Sequence, residues 1–175
     1  MFRIIKRIVN FWAAMLAPED YRLIDLYLDE SGAMLFFQMS KSDQLHAIGV
    51  ARMILKDAGV GIQPSSQLIQ AALLHDIGKK AGDFNLMTRI LVGLIRRLLP
   101  LQRGRLARVQ PDGGFWNKLR YGCYIDLVHP VRGAQMAESC GIEAAAVDLI
   151  RRHHDPPRPA QSSELTKLQN ADNQN

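Results

Sequence analysis

The sequence contains few cysteines: only Cys123 and Cys140 occur among its 175 residues. A single pair of cysteines does not build the disulfide framework of a small secreted domain, and their spacing is not that of a zinc ribbon. Reduced thiols in a cytoplasmic protein are the simplest interpretation. A length of 175 residues suits one domain, with or without an appendage.

The sequence also lacks an apolar run long enough to cross a bilayer, which takes about 20 residues. The N-terminal segment has basic residues followed by a short apolar run from Phe11 to Ala17. We interpret residues 1–34 as an N-terminal amphipathic helix and a lead-in helix, followed by a second unit over 35–175. Packing on the domain is the expected role of the first helix, and peripheral contact with the inner face of a membrane is the alternative.

No convincing strand is present, and no glycine-rich phosphate loop follows one, so doubly wound nucleotide folds are poor candidates. Helical periodicity instead predicts an all-α fold. Helices are expected over Leu23 to Leu28, closed by Ser31-Gly32, and over Leu45 to Ile54, ended near Gly59 and Gly61. Others are expected from Ser65 to Gly78, Leu86 to Leu99, Pro130 to Gly141, Ile142 to His154 and Ser163 to Asn173.

Acidic residues are scarce in one stretch of a chain whose formal net charge is +5. From Ala81 to Arg120 there are eight basic and two acidic residues, a net charge of +6. We treat 81–128 as a basic insertion, in which Leu86 to Leu99 forms a helix stopped by Pro100 and Gln102 to Gly122 forms a loop. Such a segment is either a solvated face or a surface that attracts phosphates or an anionic membrane. No specific nucleic-acid partner is predicted.

Five histidines carry the candidate chemistry: His46, His75, His129, His153 and His154. Each has an ordinary explanation when taken alone, such as a core histidine, a helix cap or a solvated helix end. His75 is followed by Asp76, and a further aspartate, Asp172, lies on the last predicted helix. Together, imidazoles and carboxylates suit borderline divalent metals. Adjacent His75 and Asp76 can both reach a metal if the helix opens there, which Gly78 permits.

The order of these residues resembles that of the HD phosphohydrolase superfamily. ALLHDIGKK at 72–80 is close to the core motif of that family, and HPVRGAQMA at 129–137 resembles its third-histidine helix. IRRHHD at 150–155 resembles the paired-histidine segment, and residues 170–172 resemble the terminal aspartate segment. The resemblance covers about 35–175 and uses every histidine in the chain. It implies an HD-domain helical bundle.

The resemblance further implies a dinuclear site of divalent metal ions. One ion would take His46, His75, Asp76 and Asp172, and the other would take His129, His153 and His154, with Asp76 bridging the two. Iron or manganese is favoured, and zinc, cobalt, magnesium and nickel are alternatives. The ligand set is similar to that of the subgroup acting on cyclic dinucleotides.

The activity implied is hydrolysis of a phosphate ester or phosphodiester in a nucleotide or cyclic nucleotide, by water that the metals activate. Asp76 and Lys79 would be the catalytic residues, Lys79 matching the lysine of the HD-x-G-K motif. Further candidates to contact a substrate phosphate are Arg132, Arg151 and Arg152. Arg132 lies three residues after His129, so one helix turn could bring both to the same pocket.

The chain departs from the HD-GYP proteins at 155–159, which reads DPPRP and lacks the glycine-tyrosine-proline signature. Cyclic di-GMP is therefore not assigned as the substrate. Ser42 stands where some relatives place an additional glutamate ligand, which argues for two metals. Two other functions remain open: a di-iron oxygenase built on the same fold, and a non-catalytic module that binds a nucleotide or a membrane surface.

Overall fold

A computed structural model describes residues 16–59, 63–109, 113–158 and 161–175. Within these ranges the chain forms nine helices and no strand, which confirms the predicted all-α fold. The helices are α1 Pro18–Tyr27, α2 Glu30–Phe37, α3 Lys41–Asp57, α4 Ser66–Leu74, α5 Leu86–Leu98, α6 Pro100–Leu106, α7 Phe115–Ser139, α8 Ala144–Arg152 and α9 Ser163–Gln174. Most of the predicted N-terminal amphipathic helix, residues 1–15, lies outside the described residues. No helix in the described ranges is long and apolar enough to cross a membrane.

Helix α4 is the centre of the bundle. Its apolar side chains from Leu68 to Leu74 are buried, and it packs against α3, α8, α9, α1 and α2. Ser65 caps its N-terminus by accepting the N–H of Leu68 at 3.1 Å, as the sequence predicts. A helix surrounded on all sides provides a fixed base for whatever follows its C-terminus, and the residues that follow are His75 and Asp76.

Three expected helix boundaries are wrong. Ser31-Gly32 does not close a helix, because Asp29 caps α2 by accepting the N–H of Gly32 at 2.8 Å and places the turn before them. Pro130 does not begin a helix but lies inside α7. The predicted loop over 102–122 contains the end of α6 and the first turns of α7, and Pro100 starts α6 after ending α5. Proline at the first helical position needs no N–H partner, so it both stops and starts helices.

The insertion has a small hydrophobic cluster of its own. Val92 of α5 packs against Leu119 and Cys123 of α7, and partly buried apolar side chains surround them. The larger cluster joins α1 to α4 with α7, α8 and α9. Because α7 takes part in both clusters, it holds α5 and α6 against the bundle. This packing places the basic helix α5 beside the C-terminal end of α4.

Candidate metal centre

The helices bring all the predicted metal ligands to one place. His46 lies within α3, His129 within α7 and Asp172 within α9, whereas His75-Asp76 and His153-His154 directly follow α4 and α8. The ligand atoms form two groups, each with its atoms within 4.8 Å of one another. The groups are His46, His75 and Asp76, and His129, His153 and His154. The C-terminal ends of α4 and α8 point their partial negative charge toward this centre, which favours cations.

Three of the imidazoles are fixed in the same manner. The Nδ1 atoms of His75, His129 and His153 lie 2.9, 3.0 and 2.7 Å from the carbonyl oxygens of the residues three positions earlier. A carbonyl oxygen only accepts hydrogen bonds, so each Nδ1 carries the hydrogen and donates it. Each Nε2 then presents its lone pair to the centre. Backbone carbonyls hold metal-ligating histidines in this way.

Pro130 is part of this arrangement. A residue at that position of α7 would ordinarily donate its N–H to the carbonyl of Asp126, but proline has none. The ring of His129 takes the vacant acceptor instead, with Nδ1 at 3.0 Å from the Asp126 carbonyl oxygen. Helix α7 therefore continues through the proline. The proline frees the acceptor that orients a candidate ligand.

The ring nitrogens and the Asp76 carboxylate are crowded together. Nε2 of His129 lies 3.2 Å from Nε2 of His153, and both are acceptors when their Nδ1 atoms carry the hydrogens. Asp76 Oδ1 lies 3.3 Å from the His129 Nε2 and 3.7 Å from the His75 Nε2. The His75 Nε2 atom is buried without a hydrogen-bond partner, and the buried Asp76 Oδ1 is paired with the ammonium of Lys79 at 2.7 Å. Buried ring nitrogens and carboxylate oxygens that face one another are stabilised by a proton or a cation between them, and imidazole and carboxylate donors of this kind fit a metal.

Asp172 reaches both groups. Its Oδ1 lies 2.8 Å from Nε2 of His46 and 3.7 Å from Nε2 of His75, and its Oδ2 lies 3.9 Å from Nε2 of His154. The ring of His46 has a different partner from the other rings: the side-chain amide nitrogen of Asn175 lies 3.2 Å from its Nδ1, where the others have a backbone carbonyl oxygen. To ligate a metal through Nε2, His46 must carry its hydrogen on Nδ1 and the Asn175 amide must turn.

Lys79 contacts the centre through Asp76. Its Nζ lies 2.7 and 2.8 Å from the two carboxylate oxygens of Asp76, and its side chain is mostly buried. Burial alone would raise the pKa of the Asp76 carboxyl, but the Lys79 ammonium and the nearby imidazoles hold that pKa well below its usual range. Lys79 thus keeps Asp76 ionised and borders a cavity of about 80 Å³ beside it.

The protonation of the rings gives a prediction for the metal-free protein. Burial opposes a charge on His75, but Asp76 and Asp172 outweigh it and raise the pKa of His75 to about 9. Burial lowers the pKa of His129 and of His153. In EDTA-treated protein at pH 7, His75 is therefore expected to be charged, since pH 7 lies below its pKa, and to lose its proton near pH 9. His129 and His153 are expected to be neutral.

Nitrogen-15 NMR of the imidazoles measures these states directly. Because a metal and a proton compete for the same Nε2, adding Mn²⁺ or Zn²⁺ at pH 7 should remove the His75 proton. Zn²⁺ suits the measurement because it leaves the signals sharp. A neutral His75 at pH 7 before any metal is added would contradict this prediction.

Three predicted phosphate contacts lie elsewhere. Arg132 is paired with Asp83 at 3.3 Å, Arg151 with Glu138 at 3.5 Å, and Arg152 with Asp148 at 3.1 Å. None of the three lines either cavity beside the centre. Although Arg132 follows His129 by three residues, its partner lies in the segment after α4. These arginines are paired at the surface, and the prediction for them is not supported by their positions.

Four other arginines do lie beside the centre: Arg89, Arg96, Arg97 and Arg103. They line a cavity of about 670 Å³ that also contacts His153, His154 and Asp172. The excess of basic residues in the insertion was visible in the sequence, but not which of them line this cavity.

Two buried carboxylates hold the arginine-bearing helices α5 and α6 in place. Asp43 of α3 accepts hydrogen bonds from Arg89, one of them at 2.8 Å. Asp126 of α7 accepts one from Arg103 at 2.6 Å. Burial raises the pKa of Asp43, but pairing with Arg89 outweighs that effect and leaves it below the usual value. Arg89 thus attaches α5 to α3, and Arg103 attaches α6 to α7, and sequence periodicity indicates neither contact.

The chain was compared with protein-family models, with curated proteins and with solved structures, and none of the three comparisons found a match. Function is therefore inferred from the residues of the site and their geometry.

Proposed function

We propose that this protein is a metal-dependent phosphohydrolase that cleaves a phosphate ester or phosphodiester of a nucleotide-type substrate. The observation that supports it is the convergence of buried Nε2 atoms from His75, His129 and His153 on the carboxylate of Asp76. Their Nδ1 atoms donate to backbone carbonyls, so their Nε2 atoms face the centre and are the ring nitrogens that a metal would bind. The proposed compartment is the cytoplasm, since Cys123 and Cys140 are free thiols.

The proposed ligands divide into two sets. His46, His75, Asp76 and Asp172 would hold one divalent ion, and His129, His153 and His154 the other, with Asp76 shared. Such a pair of ions supplies Lewis-acid charge for phosphate oxygens and lowers the pKa of water, and iron or manganese is favoured.

The protein's own residues prepare the site for this chemistry. The carbonyls of Ala72, Asp126 and Ile150 keep three imidazoles in one tautomer, so the rings do not have to reorganise when a cation binds. Lys79 keeps Asp76 anionic and stands next to it with a positive charge that a substrate phosphate can contact. Arg96, whose Nη1 lies 3.4 Å from Nε2 of His154, adds positive charge at the other end of the centre.

Metal content and substrate turnover test this proposal together. Protein purified without oxygen is expected to contain about two iron or manganese ions per chain by elemental analysis. With that metal, it should release phosphate or a nucleoside monophosphate from a panel of nucleotides, cyclic nucleotides and dinucleotides, and EDTA should abolish the release. Oxygen uptake without phosphate release would favour the oxygenase alternative. Nucleotide binding without turnover or bound metal would favour the binding module, and either result would overturn the proposal.

A further inference from the structure

The cavity of about 670 Å³ begins at the candidate metal centre and extends under helix α5. One end is formed by His153, His154 and Asp172, and the walls are formed by α5, the segment after α8 and the end of α9. A volume of this size is typical of a small-molecule site. The cavity is far larger than a single phosphate requires, so it has room for parts of a ligand that do not react.

The lining of the cavity carries four arginines and two aspartates, and the aspartates are paired with other residues: Asp155 with Arg152 at 3.5 Å and Asp172 with His46 at 2.8 Å. Arg89 and Arg103 are paired with the buried carboxylates of Asp43 and Asp126. Arg96 is left with a longer contact, 3.7 Å, to Asp126. Arg97 has no ion pair within the described part of the chain. Arg96 and Arg97 both line the cavity without a carboxylate partner closer than 3.7 Å among the described residues, so their guanidinium groups are suited to bind an anion such as phosphate.

Gly93 leaves an open space in the same wall. It lies within α5, where a glycine weakens a helix relative to alanine. A Cβ atom built at Gly93 meets no atom within 4 Å, so no packing contact in the described structure requires a glycine there. Ile90, Leu94 and Pro157 line the cavity around it. The space over Gly93 is therefore open, with apolar side chains in the lining and with Arg96 and Arg97 one helix turn away, which suits the flat face of a ring in a phosphorylated molecule.

We propose that this cavity binds the non-reacting part of the substrate, and that the substrate carries a second phosphate, bound by Arg96 and Arg97, and a flat apolar group that lies over Gly93. This inference rests on the proposed function, which places the reacting phosphate at the histidine-aspartate centre. It narrows the substrate to organic molecules with at least two phosphates and a ring. The basic insertion is then the element that selects the substrate.

Calorimetric titration in EDTA tests the cavity without any contribution from bound metal. The probes are ADP, which has two phosphates and a ring, AMP, which lacks the second phosphate, and inorganic pyrophosphate, which lacks the ring. ADP is expected to bind about tenfold more tightly than either of the others. Arg97→Gln should weaken ADP binding by about tenfold, to near the AMP value. The control is Arg105→Gln, which removes the same charge from an exposed position of α6 outside the cavity and should change ADP binding less than about twofold.

Substitutions at Gly93 test the ring-binding wall. Gly93→Phe should fill the open space and weaken ADP binding by about tenfold, while pyrophosphate binding changes less than about twofold because the arginines remain. Gly93→Ala is the matched control and should bind ADP as the unchanged protein does. Thermal melting of each variant confirms that the chain is folded.

Equal ADP affinities of Arg97→Gln and Arg105→Gln, or of Gly93→Phe and Gly93→Ala, would overturn the inference, as would a lack of ADP binding by the unchanged protein. A failure of this inference can be distinguished from a failure of the proposed function. Metal-dependent phosphate release together with failure of the binding tests leaves the hydrolase proposal standing and rejects the cavity assignment. ADP binding that follows these substitutions in a protein without metal or turnover rejects the hydrolase alone.

Discussion

Replacement of Asp76 by asparagine is expected to lower metal-dependent phosphate release by about 10³-fold or more and to reduce the bound metal. Asparagine keeps the shape of the side chain but removes the charge. The Oδ1 atom of Asp76 lies within 4.0 Å of Nε2 atoms from both ligand groups: those of His75, His129 and His153. The loss of its negative charge therefore weakens both proposed metal positions at once. The measurements are turnover on the best substrate of the panel and elemental analysis.

The matched control is Asp148→Asn, which makes the same chemical change at an exposed position of α8. There the carboxylate is paired with Arg152 at 3.1 Å. It should leave turnover and metal content unchanged, because exposed ion pairs contribute little. Circular dichroism of Asp76→Asn separates a loss of chemistry from a loss of fold. Unchanged turnover in a folded Asp76→Asn protein would show that the reaction does not take place at this centre.

Replacement of Gly78 by alanine is expected to destabilise the protein by about 3 kcal/mol, which lowers its melting temperature by roughly 6–12 °C. A Cβ atom at this position would lie 2.1 Å from the backbone carbonyl oxygen of His129 and 2.8 Å from its Cα. Backbone atoms inside a helix cannot move aside as a flexible side chain can. The turn carrying His75 and Asp76 would therefore move away from α7, and the distance between the two groups of ligand atoms would increase.

Gly104→Ala is the control for this substitution. It replaces a glycine within α6 at which a Cβ meets no atom within 4 Å, so alanine should raise the stability by roughly 0.5–1 kcal/mol. Thermal unfolding in EDTA measures both changes without the contribution of metal. A second readout, the affinity for Zn²⁺, should fall for Gly78→Ala only. Equal melting temperatures for the two variants would contradict the close approach of the turn to α7.

Local signals were sufficient for the elements next to the site. Ser65 and the apolar run after it predict α4, and the periodicity from Leu45 to Ile54 predicts α3, because both patterns are set by neighbours within one or two turns. The same approach was wrong at Pro130 and over 102–122. Helix α7 continues through Pro130, where the ring of His129 contacts the carbonyl that the proline leaves free, and no periodicity reports such a contact.

The residues of the candidate centre were also identifiable from their order along the chain, and the structure places His46, His75, Asp76, His129, His153, His154 and Asp172 together. The arginines that line the cavity beside the centre were not identifiable from the sequence. Eight basic residues between 81 and 120 gave no indication of which would face the histidines. Those that do so are selected by contacts such as Arg89 with Asp43, across 46 positions of the chain.

The amino-acid sequence by itself determined that the chain is helical, because helical periodicity is set by neighbouring residues. Its resemblance to the HD phosphohydrolases further predicted which imidazoles and carboxylates lie together. Only the tertiary structure decided which nitrogen of each imidazole faces the centre, which arginines accompany it and how much space lies beside it. Those properties arise where separate helices meet, and the packing of distant side chains against one another sets them.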